Sequence, residues 1–439
     1  MKSKLYTVLF FLIACLVSLA QEFNAAKLNR YFDALETNQK FMGSVAVMQE
    51  GKILYSRSVG YADVENHLKA NENTKYRIGS ITKTFTSVLV MKAVEDNKLS
   101  LDQTIDAYFP GIPNAGKITV RQLLSHRSGI HNFTSDETYL TWNTEPKTEA
   151  DMIEIITRAG SDFEPDSKAE YSNSNFVLLT FILEKSFQKP YAELLAEKIV
   201  NPLGLTNTRF GGKVNTGNNE CKSYSYRGTW KEETETDMSI PLGAGSIVST
   251  PTDLVKFSEG LFSGRLFKQE SLELMKTARD RFGFGLFIVP FYDKSSYGHT
   301  GGIDGFSSVF THFVEDGVSY ALISNGANYN TNNISIAVLS AVFNKPYEIP
   351  EFATSSLNPE DLNKYPGVYA STQLPLKLTI TIENNMLIAQ GTGQPSFPLE
   401  ATGKDTFQFE QAGVVMEFQP SENTLVLKQG GGEYVFTKE

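Results

Sequence analysis

Cysteine is almost absent from this chain: of 439 residues, only Cys15 and Cys221 carry a thiol. Cys15 lies in an N-terminal apolar stretch, and once that stretch is removed no intrachain disulfide can form. Metal-binding patterns are missing too. The five histidines (His67, His126, His131, His299 and His312) make no His-Glu-x-x-His pair and there are no paired cysteines, so neither a metal centre nor a cofactor is expected. Basic charge is in deficit, with 40 Lys+Arg against 50 Asp+Glu. That balance argues against nucleic acid or anionic lipid as a partner. No internal repeat or low-complexity tract is evident.

Long apolar runs are also lacking, with one exception. Leu5 to Val17 is apolar, follows Lys2 and Lys4, and precedes the small residues Ser18-Leu19-Ala20. Residues 1–20 therefore read as a signal peptide cleaved after Ala20, and the run is too short for a stable membrane span. Leu12-Ile13-Ala14-Cys15 offers a looser reading as a lipoprotein box anchored at Cys15, but the residues after it stay apolar. Cleavage after Ala20 leaves 419 residues with a net charge of −12, because Lys2 and Lys4 are lost and no acid is. Such a chain, periplasmic or secreted, is long enough to rest on an ordinary hydrophobic core. Its oligomeric state is not legible.

What is present is organised in two parts. Residues 22–40 have helical spacing, and strand-like runs follow at Gly43 to Met48 and Ile53 to Gly60 around a Gln49-Glu50-Gly51-Lys52 turn. Helical signals dominate 100–275, clearest at 119–125, 149–159, 174–187 and 190–200. Strand character returns at Phe282–Pro290, Gly305–Phe313 and Val318–Ser324, before a helix near Asn332–Phe343. Strands at both ends of a helical region predict an α+β domain over 21–345, an antiparallel sheet with helices packed on it. Residues 346–359, rich in Pro and Ser, read as a linker. Beyond it, Leu374, Leu376, Leu378, Ile380 and Ile382 alternate with polar or proline residues, and short strands recur at Met386–Gln390, Thr406–Glu410, Val414–Phe418, Thr424–Gln429 and Tyr434–Thr437. Residues 360–439 are predicted to form a small, barrel-like all-β domain.

The chemistry centres on Ser80-Ile81-Thr82-Lys83, at the start of an apolar helical run from Thr82 to Val94. Residues three apart on a helix share a face, and a desolvated lysine can serve as a base for a serine hydroxyl. Taken singly, each residue has a plainer reading. Lys83 would be a solvated charge, Ser80 a helix cap, Tyr171 a packing residue, His299 a turn residue, and His126 and Arg127 loop-ordering residues. Tyr171-Ser172-Asn173 and His299-Thr300-Gly301-Gly302 follow Ser80 in order, and the ordered triple favours catalysis.

These motifs resemble those of the serine β-lactamase and penicillin-binding protein superfamily. Tyr76-Arg77-Ile78-Gly79-Ser80 with Lys83 looks like its nucleophile segment. Tyr171-Ser172-Asn173 resembles the second motif of class C β-lactamases and D-alanyl-D-alanine carboxypeptidases. His299-Thr300-Gly301 matches the third, with histidine where β-lactamases usually carry lysine. Leu123 to Gly129 and Pro202 to Leu205 look like further landmarks, and the C-terminal domain resembles a lipocalin-like appendage. The resemblance implies an exported serine hydrolase of D-amino-acid peptidase or carboxypeptidase type that cleaves an amide or ester through an acyl-Ser80 intermediate, with a small-molecule or peptide substrate, foremost a D-amino-acid peptide of cell-wall type. A β-lactamase, an esterase and a sensor that acylates without turnover are the alternatives. It further implies Lys83 as base, or Tyr171 as a phenolate base held by Lys83. Asn173 would bind the substrate amide or the lysine, and the N–H groups of Ser80 and Gly302 would form an oxyanion hole. His299, Thr300 and Gly301 would meet the substrate, His299 and Thr300 at a carboxylate or other polar end, with the imidazole either a neutral donor or an imidazolium toward a carboxylate.

Overall fold

The computed structural model describes residues 23–352 and 359–439. The segment read as a signal peptide, Cys15 included, lies outside the described residues, as do residues 353–358 of the segment read as a linker.

Helix α1 (Ala25–Thr37) is capped by Asn24, whose side chain accepts from the Lys27 N–H at 2.9 Å. Its buried stripe is Leu28, Tyr31, Phe32 and Leu35, the i, i+3, i+4, i+7 pattern of a one-faced helix. Strand β1 (Phe41–Gln49) turns into β2 (Lys52–Val59) through Glu50 and Gly51, both at positive φ as a tight hairpin turn needs. Helices α2 (Thr82–Glu95) and α3 (Asn173–Phe187) are buried around most of their circumference, so they run through the middle of the domain. Helix α4 (Pro251–Phe262) precedes the remaining strands, β3 (Phe287–Phe291), β4 (Lys294–Ile303), β5 (Phe306–Phe313) and β6 (Val318–Ala327), and α5 (Thr331–Val342) closes the domain.

The strands form one antiparallel sheet in the order β3-β4-β5-β6-β1-β2. Side chains alternate across it, and each face has its own core. Val45, Val47, Tyr320 and Leu322 pack with α1 and α5. Ala46, Met48, Phe310, Ala321 and Ile323 pack with α2, α3 and α4. The catalytic motifs belong to this second face.

The C-terminal unit is a closed barrel of eight strands in sequence order: β7 (Gly367–Ala370), β8 (Lys377–Glu383), β9 (Met386–Gly391), β10 (Phe397–Gly403), β11 (Thr406–Phe409), β12 (Val414–Gln419), β13 (Thr424–Gln429) and β14 (Gly432–Lys438). Closure pairs β7 with β14 and leaves no open sheet edge. Its interior holds Tyr365, Phe407, Phe418 and Phe436 together with aliphatic side chains. Polar contacts fix the barrel against the first domain. Lys40 and Asn328 both reach Glu400, Asn333 bonds Glu410 at 3.1 Å, and Arg227 bonds the Ser396 hydroxyl at 3.0 Å.

The α+β domain and the all-β barrel are the architecture the sequence predicts, with local differences. Strand β3 begins at Phe287 rather than Phe282. Residues 190–200 are a short α-helix, Tyr191–Leu195, that widens into a π turn at Ala196–Val200. Strand β4, which carries His299 to Gly302, is the main omission. Its glycines and serines give no alternating apolar signal, and only the pairing with Phe287–Phe291 and Phe306–Phe313 makes it a strand.

Candidate active site

Ser80 sits on a single 3-10 turn, Gly79–Ile81, that leads into α2. Two features press this turn against β4. The Ser308 hydroxyl donates to the Ile78 carbonyl at 2.8 Å, and the strand passes so close that side chains are excluded. A Cβ on Gly79 would lie 2.8 Å from the Gly302 nitrogen, and one on Gly301 would lie 2.1 Å from the Ile78 oxygen. Gly79 also has φ +49, where glycine is favoured. Gly302 is different: a Cβ there would meet only the Phe306 oxygen at 3.9 Å. The close approach therefore needs Gly79 and Gly301, while Gly302 leaves room on the cavity side.

Below the strand, Arg77 is almost wholly buried. It donates to Asp304 at 2.7 Å, to Glu235 at 2.9 Å and to the Thr236 and Gly212 carbonyls. Asp304 is in the turn after β4, so this pair joins the segment that carries the nucleophile to the hairpin tip. Breaking a buried pair on one side leaves an uncompensated charge and typically costs about 3–5 kcal/mol. Sequence reading assigned no role to Arg77, because a residue's partner more than 200 positions away leaves no local trace.

Lys83 lies one turn along α2, completely buried, with its Nζ 3.0 Å from Ser80 Oγ. Two other atoms touch that nitrogen, Asn173 Oδ1 and the Ala244 carbonyl oxygen, each at 2.7 Å. Both can only accept. The Asn173 amide is oriented by its own nitrogen, which donates to Thr134 Oγ1 at 2.9 Å. Burial alone drives the Lys83 pKa well below the ordinary lysine value, with no carboxylate to offset it. A neutral amine has two N–H groups and one lone pair. The two acceptors take the N–H groups, which leaves the lone pair for the Ser80 proton.

Tyr171 donates its hydroxyl to Ser80 Oγ at 2.7 Å. Burial raises its pKa far above that of an ordinary phenol, and the bond to Ser80 offsets this only in part. Of the two bases that the motifs leave open, this geometry favours the lysine amine over a phenolate. His126 packs on the Tyr171 ring at 4.5 Å between centroids and accepts the Ser172 N–H at 3.1 Å. Its pKa is held well below the usual value by burial and by Lys83, so it orients the tyrosine as a neutral ring.

His299 shares this buried face, its ring tilted against Phe287 with 4.5 Å between centroids. Its Nδ1 meets the Thr300 carbonyl, which fixes the proton on that nitrogen. Burial, then the neighbouring Lys83, lowers its pKa to about 3. Of the two forms open to His299, this burial favours the neutral imidazole at neutral pH. Thr300 is displaced from its expected role. It pairs with Val309 across β4 and β5, so its side chain is on the opposite face and lines a cavity of about 520 Å³ under α5.

The catalytic cavity, about 700 Å³, is lined by Ser80, Asn173, Ala244, Gly302 and Asp304, with Phe133, Tyr139 and Leu140 as an apolar wall. Pro395 and Ser396 of the barrel form part of its rim. The backbone N–H groups of Ser80 and Gly302 belong to the two segments that glycine brings together, as an oxyanion hole requires. The structure thus gathers Ser80, Lys83, Tyr171, Asn173, His299, Gly301 and Gly302, and leaves Thr300 outside. Sequence reading missed Ala244 and Thr134, which only tertiary packing supplies.

Comparison with known proteins agrees with this geometry. Penicillin-binding protein 4* of Bacillus subtilis (strain 168) is 25% identical over 441 residues, 92% of this chain and 97% of its own length. Teichoic acid D-alanine hydrolase of Staphylococcus aureus (strain MRSA252) is 28% identical, covering 66% of this chain and 70% of that protein. The crystal structure of D-amino acid amidase from Ochrobactrum anthropi SV3, complexed with L-phenylalanine amide, superposes with a TM-score of 0.65 and 28% identity, over 73% of this chain and 99% of the amidase. The Beta-lactamase family model matches residues 28–343, well over half of the chain, and the protein belongs to that family of serine hydrolases.

Proposed function

We propose that this protein is an exported serine hydrolase that cleaves amide or ester bonds of D-amino-acid acyl groups through an acyl-Ser80 intermediate. The observation that carries the reading is the Lys83 nitrogen, with both N–H groups engaged by Asn173 and Ala244 and its remaining position 3.0 Å from Ser80 Oγ. The Ser80 proton passes to Lys83 as Oγ bonds to the substrate carbonyl carbon, and the oxyanion falls between the Ser80 and Gly302 N–H groups. The bond to the leaving nitrogen or oxygen then breaks, and the leaving group takes the proton back. The Tyr171 hydroxyl lies on that path through its bond to Ser80 Oγ. Water repeats the sequence on the acyl-enzyme and frees the acid.

The D-amino-acid part of the reading is supported by the relatives named a D-amino acid amidase and a teichoic acid D-alanine hydrolase. The neutral His299 also disfavours a substrate that must be held by a terminal carboxylate. D-alanine amide, D-alanyl-D-alanine and a chromogenic cephalosporin, offered separately, test the proposal. Turnover of the amide with little of the dipeptide is expected. Turnover of the cephalosporin alone would make the protein a β-lactamase, and a stable adduct on Ser80 would make it a sensor.

A further inference from the structure

The segment Trp230-Lys231-Glu232-Glu233-Thr234-Glu235 holds three acids whose situations differ. Glu232 pairs with Lys222 at 2.9 Å, and Glu235 with the buried Arg77 at 2.9 Å. Glu233 lines the catalytic cavity and, among the described residues, its carboxylate has neither a hydrogen bond nor an ion pair. Its backbone is fixed, since the N–H donates to the Ser223 carbonyl at 2.9 Å. Its side-chain stem lies over the turn after β4, with Cγ 3.1 Å from where a Cβ on Gly305 would be. Gly305 belongs to the two-residue turn that follows Ile303, next to Gly302 and Asp304 of the cavity wall. Ser80 and Glu233 thus line one cavity, so a substrate whose carbonyl rests at Ser80 also faces this carboxylate.

The other charges of the cavity wall are already matched. Asp304 is neutralised by Arg77 and also accepts from Thr236. Arg227 is held at the barrel, 3.5 Å from Glu383 and bonded to Ser396. Lys83 is completely buried behind Ser80, where desolvation disfavours its charged form. The wall therefore presents one unmatched charge, and it is negative. We infer that Glu233 binds the free ammonium of an aminoacyl substrate, which makes it a specificity-determining residue that favours unblocked amino groups over N-acylated or carboxylate-ended ones. This deepens the reading above and rests on it for the identity of the acyl group.

Protection of Ser80 from a fluorophosphonate probe separates the two. D-alanine amide should protect the wild-type protein at concentrations at least about ten-fold lower than N-acetyl-D-alanine amide does, the scale of one charge-assisted hydrogen bond. In Glu233→Gln, which keeps the shape and removes the charge, the two amides should protect alike. Equal protection by both amides in the wild type, or an unchanged preference in Glu233→Gln, would overturn the inference. Protection that depends on Glu233 without any turnover of D-alanine amide would uphold the ammonium site and refute the amidase reading. Turnover with equal protection would do the reverse.

Discussion

A lysine buried with no carboxylate beside it keeps its charge only at the cost of desolvation, and in this site no opposite charge offsets that cost. Between the lowered Lys83 pKa and the free value of about 10.4, the unfolded chain binds a proton that the folded chain does not. Folding stability from this residue therefore rises with pH across that window, and below it the buried amine works against the fold. Activity gains what stability loses. Lys83→Ala and Tyr171→Phe should each lower the rate of Ser80 acylation by at least about 10²-fold, read by mass spectrometry of the labelled protein against time. His299→Gln should leave the shape of the pH profile between about pH 5 and 9 unchanged, because a group neutral throughout that range contributes no titration. A lost inflection in that variant would show that His299 does carry charge. Ser80, Lys83 and Tyr171 were legible in the sequence because their chemistry is local to short motifs. The protonation states were not, since they depend on burial that no motif records.

At the scale of elements, the helices and the hairpin of β1 and β2 were readable because their apolar spacing and turn residues agree. Strand β4 was not: Gly298 and Gly301 are there for close backbone approach and Gly302 leaves room on the cavity side, and together they erase the alternation that announces a strand. Thr300 was misplaced for the same reason, since a face can be assigned only once a strand and its register are known. The glycines give a paired test. Gly301→Ala places a Cβ 2.1 Å from the Ile78 oxygen and should cost about 1–3 kcal/mol, seen as a fall of several degrees in melting temperature, with Ser80 labelling slowed. Gly302→Ala has open space around the new methyl and should melt close to the wild type. Similar losses in the two variants would mean that the approach of the Ser80 turn to β4 is not what Gly301 permits.

For the whole molecule, two units with separate cores meet through polar contacts, and the barrel adds Pro395 and Ser396 to the cavity rim. A chain ended after Phe352 keeps Tyr347 and Phe352, which pack against the core of the first domain. It should fold and still label at Ser80, with the preference among substrates altered, as circular dichroism and labelling together would show. Loss of folding would reveal that the units depend on one another. The alternating pattern of the barrel was readable in most strands. The residues that seat it there, such as Arg227 and Glu400, were not, because single polar contacts leave no sequence pattern. The most direct test of the central claim is the rate constant for Ser80 acylation by a chromogenic ester, followed against pH. With Lys83 as a neutral base, the rate should rise through an apparent pKa well below that of free lysine and then level off, and no adduct should form in Ser80→Ala. A rate that climbs steadily with hydroxide past pH ~10, the range of free lysine, or an adduct that survives Ser80→Ala, would contradict it.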